Sequence, residues 1–565
     1  MLRGWKLFIV AWVVILAGAI LAHGVQTSDG VQVRDVRFVA SNGVVMSALL
    51  YQPAAATAKT PAPGILAVHG YINSRETQDA FAIEFARRGY VVLALDQRGH
   101  GYSDGPAFAD GFGGPAGLAY LRSLDIVDKD NIGLEGHSMG GWTVLAAAIT
   151  APNDYKAIVI AGSSVGKPFA AEGTPAWPRN LALIEGRYDE FSKLMWDVDR
   201  AADVGLSPKL QALFGADKPV EAGKLYGAID AGNARFLYQP DITHTREHIS
   251  TESVGDAIDW FAQTLKGGAP RPASDQIWYW KEAGTLVSLL GFIALLLGAF
   301  ELALTIPAFA GLANEPLPAR VNRGAGWWIA FLLSALLPAL LYFPAVAVGY
   351  AQATPSPWLP QHITNCIVLW ALAVAVVTLI LSLFTGGRDA NFDNHWLQAL
   401  FAAIFVALIG YGALAVAQAA FLVDFRFYLI GVKLMDVAQM KIFAIYVLPL
   451  TFYCLIVMRS LHASLGVATD GAIAQYVTNI LAFVGGFALL IGAVYAALFV
   501  NGQLPSADIA LFAIVGIQFI PILAILAIIS TFAYRRTNSY VPGAFISALF
   551  VTWYIVAGQA TQAVM

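Results

Sequence analysis

Ser138 stands in the stretch Gly136-His137-Ser138-Met139-Gly140-Gly141, and further along the chain come Asp189, Glu190, His244 and His248. A serine hydroxyl is a weak nucleophile until a base takes its proton, and an imidazole serves as that base once a carboxylate fixes its tautomer and orientation. Serine, acid and histidine in this order can therefore carry out acyl transfer through a covalent intermediate. The run "NIGLEG" before the serine reads as a strand and "WTVLAAAIT" after it as a helix. Ser138 then sits at the apex of a tight strand-to-helix turn. The neighbours two positions away must be almost free of side chain for strand and helix to close, and the helix N-terminus favours developing negative charge.

The acid belongs just past a later strand. "NLALIEGRYDEF" offers Asp189, with Glu190 beside it as the alternative. Asp189 can also cap the helix that "DEFSKLMW" begins, and the two roles are compatible. The base belongs in the loop before the last helix, where "YQPDITHTREHISTESVGDAIDWF" offers His244 and His248. His248 lies two residues before Ser250, a helix N-cap, so His244 has the longer loop with which to reach the serine; His248 is the alternative. Two backbone N–H groups are needed for the oxyanion. Met139 supplies one, and Tyr71 in "VHGYINSRE" supplies the other. His100 braces a glycine-rich turn, and His137 points away from the reaction centre. The histidines lack ligand spacing of the H-E-x-x-H type and "GSSVGK" is too short for a phosphate loop, so no metal and no cofactor are expected.

Positioning these groups takes alternating strands and helices. Strand patterns occur at 31–39, 44–52, 64–70, 90–96, 131–136, 156–162, 180–186 and 234–239, with helical patterns between most of them. That alternation gives a mostly parallel, eight-stranded sheet flanked by helices, with the first two strands an antiparallel hairpin at one edge.

The rest of the chain is of another kind. Over all 565 residues, 58% are hydrophobic and 13% charged, too apolar for an ordinary soluble protein. An apolar run at 7–22 follows Arg3 and Lys6 and reads as an uncleaved anchor in preference to a signal. Eight further runs, at 283–305, 327–352, 363–385, 397–420, 441–458, 476–500, 508–533 and 541–562, approach the roughly 20 residues that cross a bilayer. The organisation is residues 1–25 anchor, 26–270 catalytic domain, 271–282 linker and 283–565 an all-α membrane domain. Arg320, Arg323, Arg388, Arg459, Arg535 and Arg536 fall in loops on the anchor's N-terminal side. By the positive-inside rule the catalytic domain is expected to be extracytoplasmic; the expected location is a bacterial inner membrane. The loop 421–440 breaks the trend with Arg426 and Lys433, and is expected to lie along the outer surface beneath the catalytic domain. Glu301 is the main charge within the spans. Cys366 and Cys454 are expected not to pair. No basic run points to nucleic acid.

"VHGY", "DQRGHGYSDG", "GHSMGG", "GRYDEF" and "THTREH" together resemble the marks of an α/β-hydrolase over residues 32–266. The resemblance implies a serine triad and leaves the substrate open, since the fold hosts many activities. One departure is the long insertion between Asp189 and His244, expected to pack near the site as a small cap; the segment between the sixth and seventh strands is too short for a helical lid. The expected function is a membrane-bound serine hydrolase cleaving an ester or related acyl bond, with a small-molecule or lipid-like acyl substrate; a peptidase remains open, and no protein partner is named. Two alternatives stand: a transporter or lipid-handling protein using the domain as a binding module, which eight extra spans favour, and acyl transfer to an alcohol or amine. The short connections to the spans, roughly 23 Å for the longer one if flexible, keep the site near the lipid surface.

Overall fold

The computed structural model describes residues 2–315, 317–318, 320–385 and 395–564; Arg388 lies outside them. The catalytic half is built on strands β1 (Gln32–Val39), β2 (Val45–Gln52), β3 (Ala62–Val68), β4 (Val91–Asp96), β5 (Val127–His137), β6 (Ala157–Ala161), β7 (Leu181–Ile184), β8 (Leu225–Tyr226) and β9 (Arg235–Tyr238). They form one sheet in the order β1-β2-β4-β3-β5-β6-β7-β9-β8. β2 runs antiparallel to β1 and β4, and the strands from β4 through β9 are parallel to one another. All eight strands read from the sequence are present. The ninth, β8, is a two-residue antiparallel addition at the far edge, supplied by the insertion and too short to carry a periodic signal.

The helices are α1 (Leu2–Gln26), α2 (Asp79–Arg87), α3 (Gly114–Ser123), α4 (Met139–Thr150), α5 (Ser192–Trp196), α6 (Pro208–Phe214) and α7 (Thr251–Thr264), then α8 (Trp278–Ala303), α9 (Ala325–Gln352), α10 (His362–Thr385), α11 (Trp396–Phe421), α12 (Val437–Ser464), α13 (Ala472–Asn501), α14 (Ala510–Thr537) and α15 (Val541–Gly558). The parallel strands are buried on both faces, as such sheets must be. Leu66, Leu93 and Leu134 pack with Leu118, Leu121 and Val144 of α3 and α4 on one side. Ile65, Ala94 and Val159 pack with Phe81, Phe85 and Phe261 of α2 and α7 on the other.

Among the described residues, α1 and α8 to α15 supply nine helices long and apolar enough to cross a membrane. The protein is thus a multi-pass membrane protein by the length and composition of these helices. α1 packs along α8, where a Cβ on Gly284, Gly291 or Gly298 would collide with its backbone. Small residues at this seven-residue spacing let the two helices approach closely. Glu301 pairs with Arg536 at 3.3 Å, which gives the charge a structural partner. Cys366 and Cys454 are both free and buried.

Two expectations change. The membrane half is not purely helical: the 421–440 loop contains a hairpin of β10 (Phe425–Phe427) and β11 (Ile430–Val432). The stretch 271–282 is not a free linker, because α8 begins at Trp278 and the residues before it are tied down. Asp275 pairs with Arg87 at 3.1 Å, Arg88 donates to its carbonyl, and Gln276 donates to the Thr251 carbonyl.

The hairpin explains the two cations that broke the charge asymmetry. Arg426 and Lys433 are buried against the catalytic half. Lys433 Nζ lies 2.8 Å from the Glu76 carboxylate, and Arg426 donates to Asp424 and to the Ser74 hydroxyl. Glu76 also pairs with Arg75, which reaches Asp35 and lies 3.7 Å from Asp96. Burial alone would raise the Glu76 pKa, but Lys433, Arg75 and Arg426 outweigh it and hold it well below the usual carboxylate range. Its contribution to stability is therefore present above the unfolded carboxylate pKa and is lost as pH falls through the lower folded value. Lys433→Met should destabilise the protein by about 3 kcal/mol, because Glu76 loses a buried partner. Adding Glu76→Gln should recover much of that loss. Thermal unfolding in detergent checks both, and an unchanged midpoint for Lys433→Met would show that the pair contributes nothing.

Candidate active site

β5 runs into α4 through Ser138, whose backbone sits at φ 55° and ψ −122°. This left-handed conformation is costly for a residue with a side chain and persists only where its surroundings enforce it. The glycines permit it: a Cβ on Gly136 would overlap the Gly140 carbonyl, one on Gly140 the Val68 carbonyl, and one on Gly141 the Ser163 side chain. The turn thus presents Ser138 Oγ at the ends of the central strands.

His244 lies in a short 3-10 turn, His244–Arg246, after β9. The Ser138 hydroxyl donates to His244 Nε2 at 2.9 Å, and His244 Nδ1 donates to Asp189 Oδ2 at 2.7 Å. Asp189 Oδ1 accepts the Phe191 N–H at the entrance to α5, so this residue both faces the imidazole and steadies the helix start. Burial pulls the His244 pKa down, but the charge and hydrogen bond of Asp189 outweigh it and leave the pKa raised. The chain serine–imidazole–carboxylate can pass a proton from Oγ to Nε2 and hold the resulting imidazolium.

The alternatives fall elsewhere. Glu190 accepts the His244 backbone N–H at 2.8 Å, not the ring, and takes a second hydrogen bond from Tyr495 of α13 at 2.7 Å. Burial and the neighbouring Asp189 raise its pKa to about 7. His248 is buried, neither ring nitrogen has a hydrogen-bond partner among the described residues, and its ring lies 4.8 Å from that of His137. Burial first, then the positive charge of His244, lowers its pKa to about 3. His137 corrects the sequence reading: its ring borders the cavity beside His244, with centroids 4.8 Å apart, and Nε2 donates to the His244 carbonyl at 2.9 Å. His100 does brace its turn, between the Arg98 carbonyl and the Ile72 N–H. His69 anchors the loop bearing Tyr71, accepting the Gln97 N–H at 3.1 Å, and burial lowers its pKa to about 4.

Two residues in the site escaped the sequence reading. Glu247 lies beneath the triad, 3.7 Å from His244 Nδ1 and 3.9 Å from His137 Nε2. Glu185, at the end of β7, lies close enough to Asp189 and Glu247 that their carboxylate oxygens fall within 4.8 Å of one another. Burial first, then the neighbouring Asp189, pushes both Glu185 and Glu247 well above the usual carboxylate range. An acidic residue ending an otherwise apolar strand, as in "LALIEG", was the available signal.

Ser138, Met139, Tyr71, His137 and His244 border one cavity of about 330 Å³. Its apolar lining includes Trp142 stacked on Phe169, with Phe191, Leu194 and Met195. The insertion therefore contributes only its first turns. The remaining wall comes from the membrane half: Tyr350, His362, Leu429, Leu511, Ile514, Gln518 and Gln562 all border the same cavity. The Tyr428 hydroxyl is hydrogen-bonded to that of Thr245, and Gln562 donates to the Tyr71 hydroxyl at 2.6 Å.

Residues 63–192 match the family model described as alpha/beta hydrolase fold, a span that holds Tyr71, Ser138, Met139 and Asp189 and stops before His244. The chain is 37% identical over 132 residues to a quorum-quenching protein of Acinetobacter baumannii, covering 22% of this chain and 40% of that protein. It is 32% identical over 181 residues to a monoacylglycerol lipase of Mycolicibacterium smegmatis, covering 31% and 60%. The chain thus spans 40% and 60% of the lengths of these two relatives. An esterase of Pyrococcus furiosus aligns over 42% of this chain and 94% of its own, at 20% identity and a TM-score of 0.31. The catalytic half has the α/β-hydrolase fold, and its relatives support hydrolase chemistry.

A fluorophosphonate probe, which reacts with an activated serine, should label the protein, and Ser138→Ala should remove the label. His244→Ala should slow labelling about a thousandfold or more, whereas His248→Ala should remain close to wild type. Gel fluorescence reads this ranking, and the opposite order of the two histidines would reverse their assignment.

Proposed function

We propose that this protein is a membrane-held serine hydrolase that cleaves an ester or related acyl bond through an acyl-enzyme, with its site on the extracytoplasmic side. The hydrogen-bonded chain Ser138–His244–Asp189, opening into an apolar cavity, carries the reading. Ser138 Oγ attacks the carbonyl while His244 Nε2 takes its proton. The N–H groups of Met139 and Tyr71 receive the developing oxyanion. His244 then protonates the leaving alcohol as the tetrahedral adduct collapses to an acyl-serine. Water, deprotonated by the same imidazole, releases the acid and restores Ser138. Glu190 positions His244 through its backbone N–H and takes no proton from substrate.

Several features support this over a purely binding role for the domain. The strained serine turn, the Ser138–His244–Asp189 hydrogen bonds and the raised His244 pKa are what nucleophile activation needs, and a binding module has no use for them. The apolar lining favours an acyl chain over a peptide, and one relative carries the name of a lipase. Arg320, Arg323, Arg535 and Arg536 lie at the ends of the spans away from the catalytic half, which supports the extracytoplasmic placement.

The base works only when neutral. Because Asp189 raises the His244 pKa, kcat/KM should fall on the acid side with a midpoint above the 6.5 of free imidazole. Asp189→Asn should lower kcat by about 10⁴ and move that midpoint down, because burial is then opposed only by the charge of Glu190. Stopped-flow ester hydrolysis across pH tests this; a midpoint unmoved by Asp189→Asn would contradict it.

Orientation is checked separately. A reporter active only in the cytoplasm should be silent after residue 270 and active after Arg323 or Arg536. Cytoplasmic activity after residue 270 would remove the extracytoplasmic assignment.

A further inference from the structure

The cavity beside Ser138 descends into the membrane half. Leu511, Ile514 and Gln518 all border it, and all belong to α14. Positions separated by three and four residues lie on one helical face, so these three form a stripe down one side of α14. At 1.5 Å per residue, Gln518 lies about 10 Å deeper along the span than Leu511. The scissile centre and this stripe share one space, flanked by Tyr350 at the end of α9, His362 at the start of α10, and Leu429 of the hairpin.

The wall is fixed in place. The chain after α15 straps onto the catalytic half: the Thr561 N–H donates to the Gly99 carbonyl at 2.8 Å, and the Ala107 N–H donates to the Thr561 carbonyl at 2.7 Å. Asp79 pairs with Lys281 at the start of α8, and Glu76 with Lys433. Exposed Tyr279 and Trp280, amphipathic rings of the kind that mark the membrane interface, lie at that same end of α8. A serine near the interface, whose cavity borders apolar Leu511 and Ile514 and then Gln518 along one span, matches the layout of an amphiphile whose ester sits at the surface and whose chain lies in the hydrocarbon.

We infer that the substrate is a membrane-resident ester with a long hydrocarbon chain, and that the chain lies along the Leu511–Ile514–Gln518 stripe of α14. The inference rests on the serine-hydrolase reading and deepens it. It gives the membrane half a role in the reaction: α14 forms the chain-selecting wall of the site. Hydrolysis takes water to the acyl carbon and releases acid and alcohol, with no other co-reactant.

The test uses the full-length protein in detergent and two ester series. In one the acyl chain grows from p-nitrophenyl acetate to p-nitrophenyl dodecanoate; in the other the alcohol grows from ethyl acetate to dodecyl acetate, followed by acid release. Ile514→Trp narrows the channel, and in at least one series it should lower the long-to-short ratio of kcat/KM by about tenfold or more, the scale on which apolar pockets discriminate. Ile514→Ala widens it and should leave that ratio equal or higher, which guards against a tryptophan variant that merely misfolds. An unchanged ratio in both series for Ile514→Trp, with or without an equal loss on short esters, would overturn the inference. A wild type that hydrolyses no ester and takes no fluorophosphonate label would instead overturn the serine-hydrolase reading itself.

Discussion

Buried ion pairs between the two halves set the arrangement of this molecule. Glu76 meets Lys433 and Asp79 meets Lys281, each a carboxylate of the catalytic half against a cation of the membrane half, and all four side chains are shielded from water. Charges removed from water in this way are tolerated only when partnered, so the two halves cannot separate without stranding them. Tyr51 donates to Asp79 at 2.5 Å, and Ser74 to Glu76 at 2.7 Å, which saturates the carboxylates further. Once this docking is fixed, the ends of α9, α10 and α14 nearest the sheet have one place to lie: across the mouth of the serine turn.

The consequence reaches His244 itself. Two tyrosines of the membrane half hold the loop that carries it, Tyr428 through Thr245 and Tyr495 through Glu190. The imidazole is thus positioned from below by Asp189, along its backbone by Glu190, and from the membrane side by these hydroxyls. A hydrolase tethered by one anchor would need none of this. Of the further spans, α9, α10 and α14 wall the site, and α13 holds a loop of it through Tyr495.

Much of this was legible in the sequence, for identifiable reasons. The strands showed because alternating and apolar runs were bounded by turn residues, and Ser138 showed because glycines on both sides of it fall between a strand pattern and a helix pattern. His244 was separable from His248 by its distance from the Ser250 cap, and the structure places His244 Nε2 on Ser138. The spans showed by their length and apolar composition. The interface did not. Arg426 and Lys433 stood out as exceptions to a charge pattern, but their partners lie far away in the chain; Ser74 and Arg426 are 352 positions apart. The insertion drew attention as a cap because it was the one long segment near the site, yet its later residues extend the sheet edge as β8. Leu511 and Ile514 carry no sequence signal at all, since an apolar residue facing a cavity and one facing lipid read alike.

The central claim is that the catalytic serine and the membrane helices share one substrate cavity. A fluorophosphonate bearing a long alkyl chain with a photoreactive diazirine near its end tests it directly. After reaction with the full-length protein and irradiation, peptides would be mapped by mass spectrometry. The account predicts one label joining Ser138 to the 511–518 stretch of α14, and its absence in Ser138→Ala. Crosslinks confined to the catalytic half, at Leu194 or Phe169 for instance, would contradict it.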